Sequence, residues 1–143
     1  MTGPQEVAES AAAAIWAGDR ASQSLGMEIV EVGPGRAVVR MTVREDMVNG
    51  HAIGHGGLTF ALADSAFAFA CNSYDRRTVA AGAEIRFRAP THLGDVLTAT
   101  ATERSREGRS GVYDVEVTGS GPTGATVVAT FVGHSREIGG SFA

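Results

Sequence analysis

The sequence predicts an α+β domain in which one long, almost wholly apolar helix is wrapped by a curved antiparallel sheet of about six strands. Three observations carry that expectation. The segment from about residue 56 to 74 is full of Ala, Leu and Phe without two-residue alternation, so it reads as a helix enclosed on most sides. About six other segments alternate apolar and polar residues, as one-sided strands do. A single helix and a set of one-sided strands can bury each other's apolar faces if the sheet curls around the helix.

The elements follow in chain order. PQEVAESAAAAIWAGD, residues 4–19, has Pro near its start and Gly near its end, which predicts a helix with Val7, Ile15 and Trp16 as a sparse docking face. MEIVEVGPGRAVVRMTV then holds two strands about a Gly-Pro-Gly turn. In the second, Ala37, Val39, Met41 and Val43 alternate with Arg36, Arg40, Thr42 and Arg44. Residues 44–55 read as a loop, and the apolar helix comes next. Four more strands follow: RTVAAGAEIRFR, DVLTATATER, SGVYDVEVTG and ATVVATFVGH. The first alternates most clearly, Val79, Ala81, Ala83, Ile85 and Phe87 against Thr78, Glu84, Arg86 and Arg88. Short turns join the last three, which suits an antiparallel meander. The sheet's free edge and the incompletely covered helix invite a second copy of the chain.

A length of 143 residues accommodates one ordinary domain, here divided into an N-terminal helical segment, residues 1–24, and a main unit, 25–139. With 43% hydrophobic and 20% charged residues the chain is a folded one. A net charge of −4 argues against non-specific attraction to nucleic acid or an anionic membrane. Cys71 is the only cysteine, so no intrachain disulfide can form. With no basic region leading into a long apolar run, the expected compartment is the cytoplasm.

The chemistry concentrates in HAIGHGGLTFALADSAFAFA, residues 51–70. Asp64 is flanked around the helical wheel by Leu62, Ala63, Ala66, Phe67 and Ala68, which makes a solvated surface carboxylate a poor description and a functional one the better reading. His55-Gly56-Gly57 stands at the helix start, where unpaired N–H groups and the positive end of the dipole could polarise a carbonyl. A tight packing contact would account equally well for two glycines there. Asp64 lies eight residues beyond Gly56, about 12 Å along a helix axis. One ester or thioester carbonyl meets both groups only if they come from different subunits, with two such helices antiparallel across a two-fold axis.

Asn49-Gly50-His51, His55-Gly56-Gly57, Phe60, Leu62-Ala63-Asp64, Ala66-Phe67-Ala68 and Cys71-Asn72-Ser73 together resemble the phenylacetic-acid-degradation (PaaI-type) thioesterases of the hotdog superfamily. The resemblance continues through Phe87, Pro90, Gly94-Asp95, Leu97-Thr98-Ala99 and Gly111-Val112-Tyr113-Asp114, and leaves out the first 20 residues. It implies a hotdog fold, dimers often paired into homotetramers, and hydrolysis of acyl-coenzyme A, typically phenylacetyl or hydroxyphenylacetyl thioesters, without a cofactor. Carried over, it makes the Gly56 N–H the carbonyl-polarising group and Asp64 of the opposite subunit the nucleophile or general base. Asn49 and His55 would hold the carbonyl or water, with Gly57 and Ser65 beside the reacting group. Arg86 and Arg88 become candidates for the coenzyme A phosphates, as do Arg36, Arg40, Arg106 and Arg109. Relatives often carry Arg directly before the proline matching Pro90; here that place is Ala89, with Arg88 one residue earlier, and a one-residue shift reverses a strand face.

Other signals are weaker. His51 and His55 have a metal-ligand spacing, but Gly54 interrupts and the pair precedes the helix, so no metal is expected. Gly119-Ser120-Gly121-Pro122-Thr123-Gly124 matches GxGxxG but joins two strands and opens no helix. GxSxG is absent and Ser65 has no evident base, which argues against a serine hydrolase. Cys71 reads as packing, His92 and His134 as surface groups. Two rivals remain: an enoyl-coenzyme A hydratase on the same scaffold, and a non-catalytic acyl-coenzyme A-binding protein.

Overall fold

The computed structural model describes residues 2–121 and 124–142. Two N-terminal helices, α1 (Pro4–Gly18) and α2 (Arg20–Ser24), precede β1 (Glu28–Gly33) and β2 (Arg36–Thr42). A 3-10 turn at Glu45–Met47 leads to the long helix α3 (Gly56–Cys71), followed by β3 (Thr78–Phe87), β4 (Val96–Glu107), β5 (Ser110–Gly121) and β6 (Gly124–Glu137). The strands form one sheet in the order β1-β2-β4-β5-β6-β3, antiparallel throughout. The predicted meander is β4-β5-β6. Helix α3 carries the chain across the sheet before β3 is laid down, so the meander has to start beside β2 and end beside β3. No helix among the described residues is long and apolar enough to cross a membrane.

The inner face of the sheet holds the core, and its rows can be read from the register. Val39, Ala99, Val117 and Ala129 lie side by side across four strands, as do Ala37, Ala101, Val115 and Phe131. All eight are buried. Alanines at the middle of these rows bring the sheet close to α3, which buries Leu62, Ala63, Ala66, Phe67, Phe69 and Ala70 against it. Phe67 contacts the rings of Tyr113 and Phe131 with centroids 5.7 and 5.9 Å away. It fits because β6 has glycine beneath it: a Cβ at Gly133 would stand 2.7 Å from the Phe67 ring.

Helix α1 begins at Pro4, which loses nothing at a position whose N–H has no intrahelical acceptor. It docks with Ala8, Ala11 and Ala12 buried, and Trp16 lies 6.3 Å from Phe69 of α3. Ile15 and Trp16 thus belong to the docking face as expected, but small alanines complete it. The helix expected over residues 4–19 ends at Gly18, and Asp19 instead starts the short α2, which the periodicity did not reveal.

The uniform alternation expected along β3 is corrected by a bulge. Ile85 lies opposite the buried Phe131, and Ala83 opposite Gly133, but the register shifts between Ala80 and Gly82. Ala80 therefore shares the inner face with Ser135, while Val79 pairs with Arg136 on the outer one. An extra residue in one strand cannot be seen from that strand alone, because its apolar neighbours look equally regular on either side. Strand β3 is also an unpaired edge, with Val79 46% and Phe87 57% exposed.

Gly133→Ala would force the Phe67 ring to shift within a packed core. The variant is expected to lose about 1–3 kcal/mol of stability, read from urea unfolding. An unchanged midpoint would show that the contact is soft.

Candidate functional site

The start of α3 leaves a single amide unused. His55 is the N-cap, and its Nδ1 accepts the Gly57 N–H at 2.9 Å. The Leu58 and Thr59 N–H groups donate to the His55 carbonyl at 3.0 and 3.3 Å. The Gly56 N–H has no acceptor among the described residues. Capping through Nδ1 also places the neutral ring's proton on Nε2, so His55 presents an N–H donor outward. Gly57 supplies room for that imidazole, since a Cβ there would come within 3.0 Å of Nδ1. The two glycines thus divide the work, Gly57 accommodating the cap and Gly56 carrying the free donor.

The preceding loop supplies a second donor. Asn49 accepts the His51 N–H at 2.9 Å and the Ile53 N–H at 3.4 Å through its side-chain oxygen, which leaves the Nδ2 amide group to donate elsewhere. The loop is pinned from both sides, because the His55 N–H donates to the Met47 carbonyl and the Gly54 N–H to the Thr91 carbonyl. Gly54 admits no side chain, as a Cβ would overlap Thr91 Oγ1. A cavity of about 370 Å³ opens beside these groups, lined by Asn49, Ile53, Gly54, Gly56, Thr59, Phe87, Ala89, Pro90 and Val128 among others. Its walls are largely apolar, with Gly56 at one side. A wider cleft of about 720 Å³ shares Pro90 and Val128 with it and runs on along His92, Leu93 and Ser120.

Asp64 lies on the same helix, on the face that its own sheet leaves half-open with Gly57, Ala61, Ser65 and Ala68. Burial raises its pKa above the ordinary carboxylate value, and the negative charge of Asp19 raises it further. Ser65 Oγ stands 2.8 Å from Ser22 Oγ, and Ser22 donates both its N–H and its O–H to the Asp19 carboxylate, at 3.0 and 2.7 Å. Sequence reasoning missed Asp19 and Ser22 altogether. The available signal was an Asp three residues before a Ser at the end of a predicted helix, the spacing of a second helix cap.

Gly56, Asn49 and the His55 ring therefore cluster around one end of α3, with Asp64 and Ser65 roughly two turns away. Among the arginines, Arg88 borders the cavity and directs Nε to Thr130 Oγ1 at 3.2 Å. Thr130 pairs with Arg86, so both guanidinium groups belong to the outer face of the sheet. The shift from Ala89 to Arg88 has the consequence that strand geometry requires. Arg36 and Arg40 are engaged with Glu31 and Glu28, and Arg106 covers the Tyr74 ring at 3.6 Å.

Among the described residues no three His, Cys, Asp or Glu side chains gather into a metal site. The glycine-rich stretch is the β5–β6 connection; its Pro122 and Thr123 lie outside the described residues. His134 meets Glu84 at 2.8 Å on the outer face, and His92 N–H donates to Asp95.

A family model described as the thioesterase superfamily matches residues 51–126. The chain is 44% identical over 128 residues to the Escherichia coli protein named acyl-coenzyme A thioesterase PaaI, covering 90% of this chain and 89% of that one. The solved structure of the E. coli PaaI protein from the phenylacetic acid degradation operon superposes with a TM-score of 0.92 at 42% identity, covering 97% of this chain and 99% of that one. The superposed part necessarily includes most of α1 and α2. A mutant form of the phenylacetic acid degradation protein PaaI from Thermus thermophilus gives a TM-score of 0.76 at 35% identity, over 82% of this chain and 97% of that one.

Cys71 is buried, and burial pushes its thiol up to about 12. A disulfide reagent at pH 8 is expected to leave the native protein unlabelled and to titrate one thiol once denaturant is added. Rapid labelling of folded protein would mean that this end of α3 opens locally.

Proposed function

The chain belongs to the thioesterase superfamily of hotdog-fold proteins, and from that premise we propose that it hydrolyses acyl-coenzyme A thioesters at a site shared by two subunits. The observation that carries this reading is the Gly56 N–H, without an acceptor among the described residues, on a residue that borders a largely apolar cavity. An amide in that place stabilises the charge that develops on the thioester oxygen as the carbonyl carbon becomes tetrahedral. Asn49 Nδ2 and His55 Nε2 add donors for the carbonyl or the attacking water. Asp64 takes a proton from water as the new C–O bond forms, or attacks the carbonyl itself and is released by water. In either route the C–S bond breaks and coenzyme A leaves as the thiol. A raised pKa makes Asp64 a stronger base than an ordinary aspartate.

Asp64 must come from the partner, because α3 holds it about 12 Å along the axis from its own Gly56. The free edge of β3, its exposed Phe87, and the half-open face of α3 supply the surface for the second chain. Pairing of such dimers into a tetramer completes the assembly we infer. For the acyl group we favour phenylacetyl or hydroxyphenylacetyl, in keeping with the cavity's apolar lining and the relatives' likeness. Arg86 and Arg88 remain the proposed contacts to the nucleotide phosphates, reached over the outer rim of β3.

A turnover screen that follows release of free thiol is expected to rank aryl-acetyl above aliphatic coenzyme A esters. Loss of enoyl absorbance without thiol release would identify a hydratase, and tight binding without turnover a binding protein. The site itself is tested with two helix variants. Proline is accepted at the first helical position and removes the N–H, so Gly56→Pro should turn over about 100-fold more slowly than Gly56→Ala, which adds the same contact with Phe87 but keeps the donor. Asp64→Asn should lower kcat at least about 100-fold with an unchanged circular dichroism spectrum. Co-expression of Gly56→Pro with Asp64→Asn should then restore activity, because a mixed dimer contains one site with both groups intact. Absence of rescue in purified mixed dimers would place both groups in one chain's site and overturn the shared arrangement.

A further inference from the structure

We propose that Asp19 is a positioning residue for this reaction: through Ser22 it dictates the direction of the Ser65 hydroxyl proton and keeps that proton away from the Asp64 carboxylate. The inference rests on the reading that Asp64 is the reacting carboxylate.

The direction follows from counting protons. Asp19 Oδ2 lies 2.7 Å from Ser22 Oγ, and Ser22 Oγ lies 2.8 Å from Ser65 Oγ. A carboxylate can only accept, and a hydroxyl has a single hydrogen to give. The proton of Ser22 is therefore spent on Asp19. The contact between the two serines is then a hydrogen bond only if Ser65 donates it. Ser22 is 2% exposed, so no solvent competes for its proton, and its backbone N–H, held by Asp19 Oδ1 at 3.0 Å, prevents the carboxylate from turning away. The relay has one polarity, from Ser65 to Ser22 to Asp19. Ser65, the residue after Asp64 on the helix, therefore has its one hydroxyl proton committed to Ser22 and none to give to the Asp64 carboxylate.

The consequence for Asp64 is chemical. A neighbouring O–H that donated to it would stabilise the carboxylate and weaken it as base or nucleophile. Withdrawing that proton keeps the group reactive, and the negative charge of Asp19 acts in the same sense. The other titratable groups set about α3 do not compensate. Cys71, on the same helix, stays a neutral thiol. His55 of the same chain caps the far end of α3 through Nδ1, more than two turns from Asp64. From the sheet, Tyr113 of β5 faces the helix beside Phe67, with its hydroxyl donating to Glu103 of β4.

Asp19→Asn reverses the relay while preserving its heavy atoms. The amide oxygen still caps the Ser22 N–H, its NH2 donates to Ser22 Oγ, and the Ser22 proton turns to Ser65, whose own proton is then free for the Asp64 carboxylate. Because catalysis needs Asp64 ionised, the rate falls as pH drops through its pKa. That acid limb should move down by at least about 0.5 pH units in Asp19→Asn, as expected when a carboxylate gains a donor and loses a like charge. The plateau kcat should fall about two- to ten-fold, with KM changed less than about two-fold. In a Ser65→Ala background the same substitution should give a smaller displacement, since only the charge effect is left. If Asp19→Asn does not fold, Ser22→Ala is measured instead; it keeps the carboxylate and the backbone cap, cuts the relay, and should displace the limb in the same direction. A limb that stays in place in the folded variant, with Asp64→Asn inactive, overturns the role of Asp19 alone. An active Asp64→Asn overturns the reading of the site on which it rests.

Discussion

A helix advances about 1.5 Å per residue, and that rise governs this molecule. It holds Gly56 at the amino end of α3 and Asp64 just beyond its second turn as fixed points on one rod. No loop movement or side-chain rotation can bring them to the same atom. What the fold does around α3 follows from keeping this rod straight, enclosed on one side and open on the other. The sheet supplies the enclosure with rows of small residues, so its backbone approaches closely, and the aromatic cluster of Phe60, Phe67, Tyr113 and Phe131 locks the helix against rotation. Phe67 lies over Gly133, where a side chain on the strand would leave no room for its ring.

The open side is where the polar groups are managed. At the helix start, a cap made by the His55 ring takes one amide out of circulation and leaves its neighbour unused. In the middle, Asp64 sits half-buried within the field of a second carboxylate, Asp19, and burial and that charge both raise its pKa. Each feature is unfavourable or wasteful for folding alone. An amide without an acceptor among the described residues and a half-buried carboxylate in the field of another are what the proposed ligand and second chain would complete.

The N-terminal helices have a place in this arrangement that their composition does not announce. Alanines and Trp16 seat α1 beside α3, and the break at Asp19 delivers a carboxylate to Ser22 and, through it, to Ser65. A segment outside the most recognisable part of the sequence thereby touches the turn of α3 that carries Asp64 and Ser65. The absence of an evident base for Ser65 holds in sequence, where its nearest acidic neighbour is Asp64; in space, Ser65 is tied to Asp19 across more than 40 residues.

Residue pattern alone determined that an almost wholly apolar helix would be wrapped by one-sided strands, that β4 to β6 would form a meander, and that Gly56 and Asp64 would stand about 12 Å apart along one helix. Those conclusions depend on period, length and rise, which are local properties of a chain. Tertiary structure decided the rest. The bulge that turns Val79 to the outer face depends on how β6 pairs with β3. Which amide at the helix start is free depends on where the His55 ring settles, and Arg86 and Arg88 fall on the outer face because of their register against Thr130. The relay from Ser65 to Asp19 exists only once α2 packs on α3. Each of these is a relation between distant segments, and a hydrogen bond between them is set by positions that no local period encodes.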